Sequence, residues 1–402
     1  MARHYDVCIV GCGLVGLSVG RALAASHPGV SLLLIDKEDR VATHQSGHSS
    51  GVIHSGLYYK PGSLKARLAV AGAKEMYEFC ETNGITHQRS GKLVIATDGA
   101  EIPALDELER RGGANGLAGL RRLGPSGITE HEPAATGIDA LHVPEAGVAD
   151  FAAVADAVAA DLRVSGAVLN LGRPVTRIDH TIDGVDVITE DDRFSARLLV
   201  NCGGLHSDRV AALAGIEADV QILPFRGEYY TLDPAQAHLV RALIYPVPDP
   251  RFPFLGVHFT RGFNGSVEVG PNALMALGRE QYRGAGPNWG DIGQMLGWPG
   301  FWRLAGRHLV SGARELFNSK SPRQYARLAR RLVPAVRGEH LTRGGAGVRA
   351  QAVDRRGRLV DDFVIETAGS TVHVLNAPSP GATASFAIGR HVARLASSHL
   401  TR

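Results

Sequence analysis

The chain has little cysteine: Cys8, Cys12, Cys80 and Cys202 are the four in 402 residues, and they form neither a C-x-x-C pair nor a zinc-ligand spacing. Neither a disulfide framework nor a structural zinc centre is expected, and the thiols read as small apolar residues in a reducing compartment. Charge of one sign is also missing. With 43 basic against 40 acidic residues the net charge is +3, so no basic arm for nucleic acid and no acidic tail stands out. Long apolar runs are absent. The stretch Val7 to Gly20 is interrupted by glycines and falls short of the ~20 residues of a membrane span. No basic segment leads into a cleavable apolar run, which makes the cytoplasm the expected location. What is abundant is glycine, 49 residues without any period, against a usual ~7%. A chain of this length holds two domains or one α/β unit with insertions, and its core needs no covalent staples.

The glycines concentrate meaningfully near the start. Tyr5 to Val10 is a short β-branched apolar run that stops at glycine, as a buried strand does. Gly11-Cys-Gly13-Leu14-Val15-Gly16 follows, then a helical pattern, a second strand at Ser31 to Ile35, and Asp36. This is the dinucleotide-binding fingerprint in its proper context of strand, glycine turn, helix, strand and acid. Gly11 permits a tight turn, Gly13 lets the backbone approach a pyrophosphate, and Gly16 brings helix against strand. The helix N-terminus offers N–H groups to phosphates, and Asp36 can accept from a ribose diol. The fingerprint alone serves FAD and nicotinamide cofactors equally.

A plain nicotinamide-binding domain would continue with a helix and a strand. Instead Lys37 leads into a polar stretch of small residues, Thr43-His44-Gln45-Ser46-Gly47-His48-Ser49-Ser50-Gly51-Val52-Ile53-His54. Small side chains let backbone amides and hydroxyls come close to a flat ligand or a diphosphate. A metal site built on His44, His48 and His54 is not expected, because no acid or thiol is interleaved among them.

From here the chain resembles a known family. Gly47 to Leu68 (GHSSGVIHSGLYYKPGSLKARL) is similar to the matching segment of L-2-hydroxyglutarate oxidases and dehydrogenases, FAD enzymes of the D-amino-acid-oxidase superfamily. The likeness recurs at Pro224 to Tyr230, Tyr245 to Thr260, Val269 to Arg283, Gly345 to Val364 and Asn376 to Gly389, and so spans most of the chain. Residues 285 to 340 match least.

The expected fold class is α/β: a Rossmann-like FAD-binding domain of glutathione-reductase type with an inserted α+β substrate domain on an antiparallel sheet. The expected discontinuous FAD-binding domain takes in 1–80, 146–220 and 340–402, and the substrate domain 81–145 and 221–339. Local signals support the elements. Pro61-Gly-Ser63 starts a helix that Asn83-Gly84 stops; Lys92 to Thr97 is a strand; Asp150 is a plausible N-cap for a helix over Phe151 to Val164. Short strands follow near 168–170, 175–179, 185–189 and 198–201. Proline-punctuated strands at 244–247, 254–260 and 266–269 suggest the inserted sheet. Thr371 to Leu375 is a last strand, and a C-terminal helix is expected from about Thr383.

The resemblance implies the oxidation of L-2-hydroxyglutarate to 2-oxoglutarate by hydride transfer from C2 to flavin N5. Expected cofactor contacts are Gly11, Gly13, Leu14, Val15, Gly16, Asp36, Lys37, Thr43, His44, Ser46, Gly47, His48, Ser49, Ser50, Val175, Cys202, Gly203, Gly204, Arg349, Pro380, Gly381, Ala382 and Thr383. No cysteine falls where amine-oxidising relatives tether flavin, so non-covalent FAD is expected. The chemistry asks for a base that works near neutral pH, and histidine has the right intrinsic basicity. His54 is the first choice and His258 the second. A dicarboxylate needs two anion sites. Arg349 is assigned the carboxylate beside C2, while Tyr59, Lys65, Arg226 and Arg251 compete for the distal one. Glycerol-3-phosphate dehydrogenases carry arginine where this chain has Tyr58, which argues against a phosphate-bearing substrate.

Other readings stay open at this point. An FAD-dependent amine or amino-acid oxidase fits the same fold. A flavin-bearing RNA factor would rest on the basic stretch Arg303 to Arg337, which a solvated face explains more simply. The segment Gln294 to Arg307 pairs bulky apolar with basic residues and reads as a packing helix or lid, or as a peripheral anchor on the inner face of the plasma membrane. The electron acceptor, oxygen or a membrane quinone of the respiratory chain, is not readable from these motifs.

Overall fold

The computed structural model describes residues 3–249, 256–282, 286–307 and 322–400. Its first sheet grows from the strand Arg3–Val10, which pairs in parallel with Leu32–Ile35 on one side and Arg193–Asn201 on the other. Val168–Asn170 and Thr371–Asn376 extend it, again in parallel, outward from those neighbours. The hairpin Arg177–Thr181 and Gly184–Ile188 runs antiparallel along the first half of Arg193–Asn201. Alternate residues of the central strands feed opposite faces. Val7, Ile9, Leu32, Leu34, Leu198 and Val200 pack beneath the helices Leu14–Ser26, Phe151–Val164 and Ser385–Leu400. Cys8, Val10, Leu33, Ile35 and Leu199 fill the other side. Strands buried on both faces explain why these runs are apolar without alternation.

The second sheet is built on two long strands, Val220–Leu232 and Leu341–Asp354, antiparallel from Val220 opposite Asp354 to Leu232 opposite Leu341. Val267–Gly270, His258–Arg261 and Leu243–Pro246 follow in antiparallel order. Lys92–Ala96 then joins parallel to Leu243–Pro246, with Lys92 opposite Leu243, so the expected purely antiparallel insert contains one parallel junction. Asp139–Val143 and Arg121–Leu123 complete that edge. A small third sheet of Val52–Ile53, Gly147–Ala149 and His87–Gln88 joins the cofactor loop to the rest.

Local chemistry sets the helix ends. The Asp150 carboxylate accepts the amides of Ala152 and Ala153 at 3.1 and 3.0 Å, and the helix runs Phe151–Val164. The Ser63 hydroxyl accepts the Ala66 amide at 3.1 Å at the head of Leu64–Thr82. The C-terminal helix begins at Ser385, two residues after the expected start, because Pro380 to Ala384 form a turn first. Leu341–Asp354 hydrogen-bonds into the second sheet, although the expected division grouped 340–402 with the first.

Helices Leu14–Ser26 and Ser385–Leu400 meet backbone to backbone. A Cβ added at Gly389 would lie 2.4 Å from the Ser18 carbonyl oxygen. Gly389→Ala is therefore expected to cost about 2 kcal/mol or more through overpacking. A melting midpoint equal to wild type would contradict this packing.

Candidate active site

Val10, Ile35 and Asn201 end side by side at the C-terminal edge of the first sheet, where α/β folds place ligands. The Gly11 amide donates to the Ile35 carbonyl at 2.8 Å, and the Cys202 amide to the Val10 carbonyl at 2.8 Å. Gly11 has φ +107°, and a Cβ there would lie 2.4 Å from the Cys202 carbonyl oxygen. At Gly16 a Cβ would lie 1.9 Å from the Gly11 carbonyl oxygen. Glycine is thus required twice in one turn, and the helix N-terminus is left open to a cavity of about 1030 Å³. That is at the upper end of the ~300–1,000 Å³ common for ligand and cofactor sites.

The polar loop wraps one end of this cavity. The Ser46 hydroxyl accepts the Leu14 amide at 3.0 Å, at the helix N-terminus. Asp36 accepts the amides of Cys12 and Glu38 at 2.6 and 3.0 Å. The Lys37 ammonium pairs with Glu38 and lies 2.7 Å from Glu280, which also holds His206 at 2.6 Å. Glu280 is held low, at about 2, chiefly by His206 and also by Lys37. Glu38, His44 and Glu280 present ligand atoms within 4.8 Å of one another, with the Lys37 ammonium on both carboxylates.

The second sheet covers the other end. Arg349 stands opposite Phe225, and with Gly227, Tyr229, Tyr245 and His258 it lines the cavity. The Arg349 guanidinium hydrogen-bonds the Tyr229 hydroxyl. His258 is 6% exposed, stacks on Tyr245 at 4.0 Å between ring centroids, and has Nδ1 2.9 Å from the Gly256 carbonyl. In the neutral ring that contact puts the proton on Nδ1 and leaves Nε2 as acceptor. Opposite, the His54 amide donates to the Thr383 hydroxyl at 3.1 Å, which itself donates to the Val52 carbonyl at 3.2 Å. The imidazole Nδ1 of His54 is buried without a hydrogen-bond partner. Burial holds His54 well below the usual histidine range, with Lys92, His258, Arg349 and Lys65 adding repulsion. Burial takes His258 down to about 3.

The cavity brings together His54, His258, Tyr59, Lys65 and Arg349, and lines itself with all the expected cofactor contacts except Gly16 and Gly47. Gly16 acts from behind the turn, and Gly47 sits where a Cβ would lie 2.4 Å from the Ala42 carbonyl oxygen. Arg226 does not reach this cavity. Side chains alternate along a strand, so Arg226 points away from the Gly227 side; it faces a second cavity of about 560 Å³ and lies 3.3 Å from Glu228. Arg251 lies outside the described residues. Sequence reasoning missed Tyr229 and Tyr245 as wall residues and Lys92 behind them. The alternation of Val220–Leu232 would have revealed Tyr229, since it shares parity with Gly227.

His54, His258 and His373 are buried and neutral, and burial holds His373 at about 4. In the unfolded chain each binds a proton near pH 6.5, well before the folded protein can. The unfolded state thus carries more protons below pH 6.5, and stability is full above that value and lost on acidification. Each group contributes up to ~1.4 kcal/mol per pH unit. The melting midpoint should fall between pH 6.5 and 5; a flat profile across that range would contradict it.

The FAD dependent oxidoreductase family model matches residues 6–395. The L-2-hydroxyglutarate dehydrogenase of Indibacter alkaliphilus is 45% identical over 386 residues, 96% of this chain and 97% of that protein. The mitochondrial L-2-hydroxyglutarate dehydrogenase of Homo sapiens is 41% identical over 97% of this chain and 88% of its own length. Among solved structures, the FAD-bound L-α-glycerophosphate oxidase of Mycoplasma pneumoniae superposes with a TM-score of 0.80 at 22% identity, covering 98% of this chain and 95% of that one. Glycine oxidase of Geobacillus kaustophilus gives 0.72 at 20% identity, with 99% and 95% covered. The residues present fit FAD: a glycine turn no side chain could share, a helix N-terminus that lines the cavity, a carboxylate at the end of the second strand, and a cavity lined also by His54, whose Nδ1 is unpartnered. The chain belongs to the FAD dependent oxidoreductases.

Proposed function

We propose that this protein oxidises L-2-hydroxyglutarate to 2-oxoglutarate. The observation that carries the reading is the end of the cavity where two buried, neutral histidines and an arginine line the wall beyond the cofactor cradle. Gly11, Gly13, Leu14, Ser46 and Asp36 would hold FAD, with Thr383 and Pro380 to Ala382 at its far end. When bound, FAD supplies the acceptor for the hydride that leaves C2. His54 takes the hydroxyl proton, because its Nδ1 has no partner and its burial keeps it unprotonated at neutral pH. His258, preset by the Gly256 carbonyl, offers a second acceptor that orients the hydroxyl. Arg349, spaced from the histidines by the sheet, binds the carboxylate beside C2 through its planar fork. The 40–45% identical relatives named for L-2-hydroxyglutarate support the substrate.

The surface bears on the choice of electron acceptor. Met295 and Leu304 are buried against Leu223, Phe225 and Val353, and the buried Trp298 donates its indole N–H to the Val353 carbonyl, whereas Trp289 and Trp302 are 77% and 60% exposed and Leu296, whose carbonyl accepts from Trp302, is 43% exposed. Among the described residues no helix is long and apolar enough to cross a membrane. An exposed tryptophan face near Arg303 and Arg307 supports peripheral contact with the inner face of the plasma membrane, and favours a quinone over oxygen.

Anaerobic addition of L-2-hydroxyglutarate should bleach the flavin absorbance and yield 2-oxoglutarate, and a quinone should then restore the colour faster than oxygen. A spectrum that the substrate leaves unchanged overturns the function. His54→Ala should slow bleaching by ~10²–10⁴-fold with FAD still bound; a variant of wild-type speed would move the base to His258.

A further inference from the structure

A five-carbon dicarboxylate needs a cation at its second carboxylate, and of the basic groups first expected there the described ones, Lys65 and Arg226, are engaged or turned away. The Lys65 ammonium donates to the Asp361 carbonyl and to its carboxylate, both at 2.8 Å. Arg226 lies beside Glu228 on the other cavity. A different cation sits behind the cavity wall. Lys92 opens the strand Lys92–Ala96 and is 2% exposed. Its ammonium lies 4.4 Å from the ring centroid of Tyr245 and 5.2 Å from that of Tyr58. Both rings line the cavity. Among the described residues no carboxylate lies against Lys92, and burial alone lowers it to about 7. Independently, the Tyr58 hydroxyl is buried without a hydrogen-bond partner.

A buried ammonium without a counter-charge destabilises a fold, and aromatic faces offset only part of that cost. The strand does not require lysine, since its other residues, Leu93, Val94, Ile95 and Ala96, are all apolar and buried. An unpartnered hydroxyl on Tyr58 and, beside the same ring, a buried amine with no acidic partner form a place for an anion, whose charge would favour the ammonium form.

We propose that Tyr58 and Lys92 form the subsite for the substrate's distal carboxylate, the Tyr58 hydroxyl donating to it and Lys92 supplying the charge from behind the ring. The assignment rests on the function proposed above. Arg349 holds one carboxylate from the strand Leu341–Asp354 and Lys92 attracts the other from Lys92–Ala96, so two fixed strands set the length of substrate accepted. A 2-hydroxy monocarboxylate would satisfy only the first. Lys92 is here a positioning residue, and its effect should appear in binding that depends on the second carboxylate.

The test is calorimetric binding to the FAD-loaded enzyme of glutarate, which has both carboxylates but no oxidisable hydroxyl, against butyrate, which has one. Wild type should bind glutarate more tightly. Lys92→Met should weaken glutarate by ~30-fold or more and leave butyrate within twofold, because only the former loses a charged partner. FAD content should stay the same, and the melting midpoint should hold or rise, since an apolar side chain replaces an unpaired charge. Tyr58→Phe, which keeps the ring, should weaken glutarate by about tenfold, the loss of one hydrogen bond to a charged group. Glutarate and butyrate weakening together, or a lowered midpoint with unchanged glutarate affinity, would show a structural role and overturn the assignment. If L-2-hydroxyglutarate bleaches the wild-type flavin while both variants bind glutarate like wild type, the subsite is wrong and the function stands. If wild type is neither bleached nor selective for glutarate, the function itself fails.

Discussion

The contact between Gly11 and Cys202 is the constraint on which the rest depends. Two neighbouring parallel strands end level with each other, and their exits cross so closely that a Cβ on Gly11 would sit 2.4 Å from the Cys202 carbonyl oxygen. That closeness sets the head of the next helix at the cavity, and the polar loop after Asp36 runs across the opening. Ser46 reaches back to the Leu14 amide, and Thr383 ties His54 to the head of the C-terminal helix. The loop is therefore anchored at both ends of the cavity by side-chain hydroxyls. Its glycines and serines keep the approach clear for a diphosphate and a flat ring.

At the other end the energetics reverse. The cradle works through backbone, which tolerates burial because its amides find partners or a ligand. There ionisable side chains from several elements are buried together: Arg349, Lys92 and His258 from the second sheet, Lys65 from the helix Leu64–Thr82 and His54 from the cofactor loop, with burial keeping both imidazoles neutral. Acidic groups are scarcer there, with Asp361 already taken by Lys65. Burial amplifies each charge, so a cavity rich in cations selects an anionic substrate while its neutral histidines retain the capacity to accept a proton. The same burial makes the apo cavity costly, which ties the acid sensitivity of the fold to the chemistry of the site.

Strong local signals made half of this legible from sequence. The fingerprint from Tyr5 to Asp36, the Asp150 cap and the helix after Ser63 each specify their own geometry within a few residues. The second sheet resisted because its signals are long-range. Leu341–Asp354 carries Gly344, Gly345 and Gly347, residues of poor strand propensity, and is held in place by pairing with Val220–Leu232 more than a hundred positions away. Arg226 is expected as one competitor for the distal carboxylate; the pleat turns it to the opposite face from Gly227. Lys92 reads simply as the first residue of a strand, and the fold shows that its ammonium lies against the rings of Tyr58 and Tyr245.

That division of labour explains how one scaffold can serve different small acids and alcohols. Gly11, Gly13 and Gly16 act by lacking side chains, so almost any substitution there harms cofactor binding whatever the substrate. Substrate choice sits on the strands of the second sheet, where a change of one side chain alters a charge or a hydroxyl without moving the backbone that presents it. The path of each strand then limits which positions can evolve new contacts. On Val220–Leu232 the Gly227 and Tyr229 side faces the large cavity, whereas on Leu341–Asp354 the consecutive run Gly347 to Gln351 lines it. Specificity in this fold is thus a matter of a few positions held over a cradle that cannot vary.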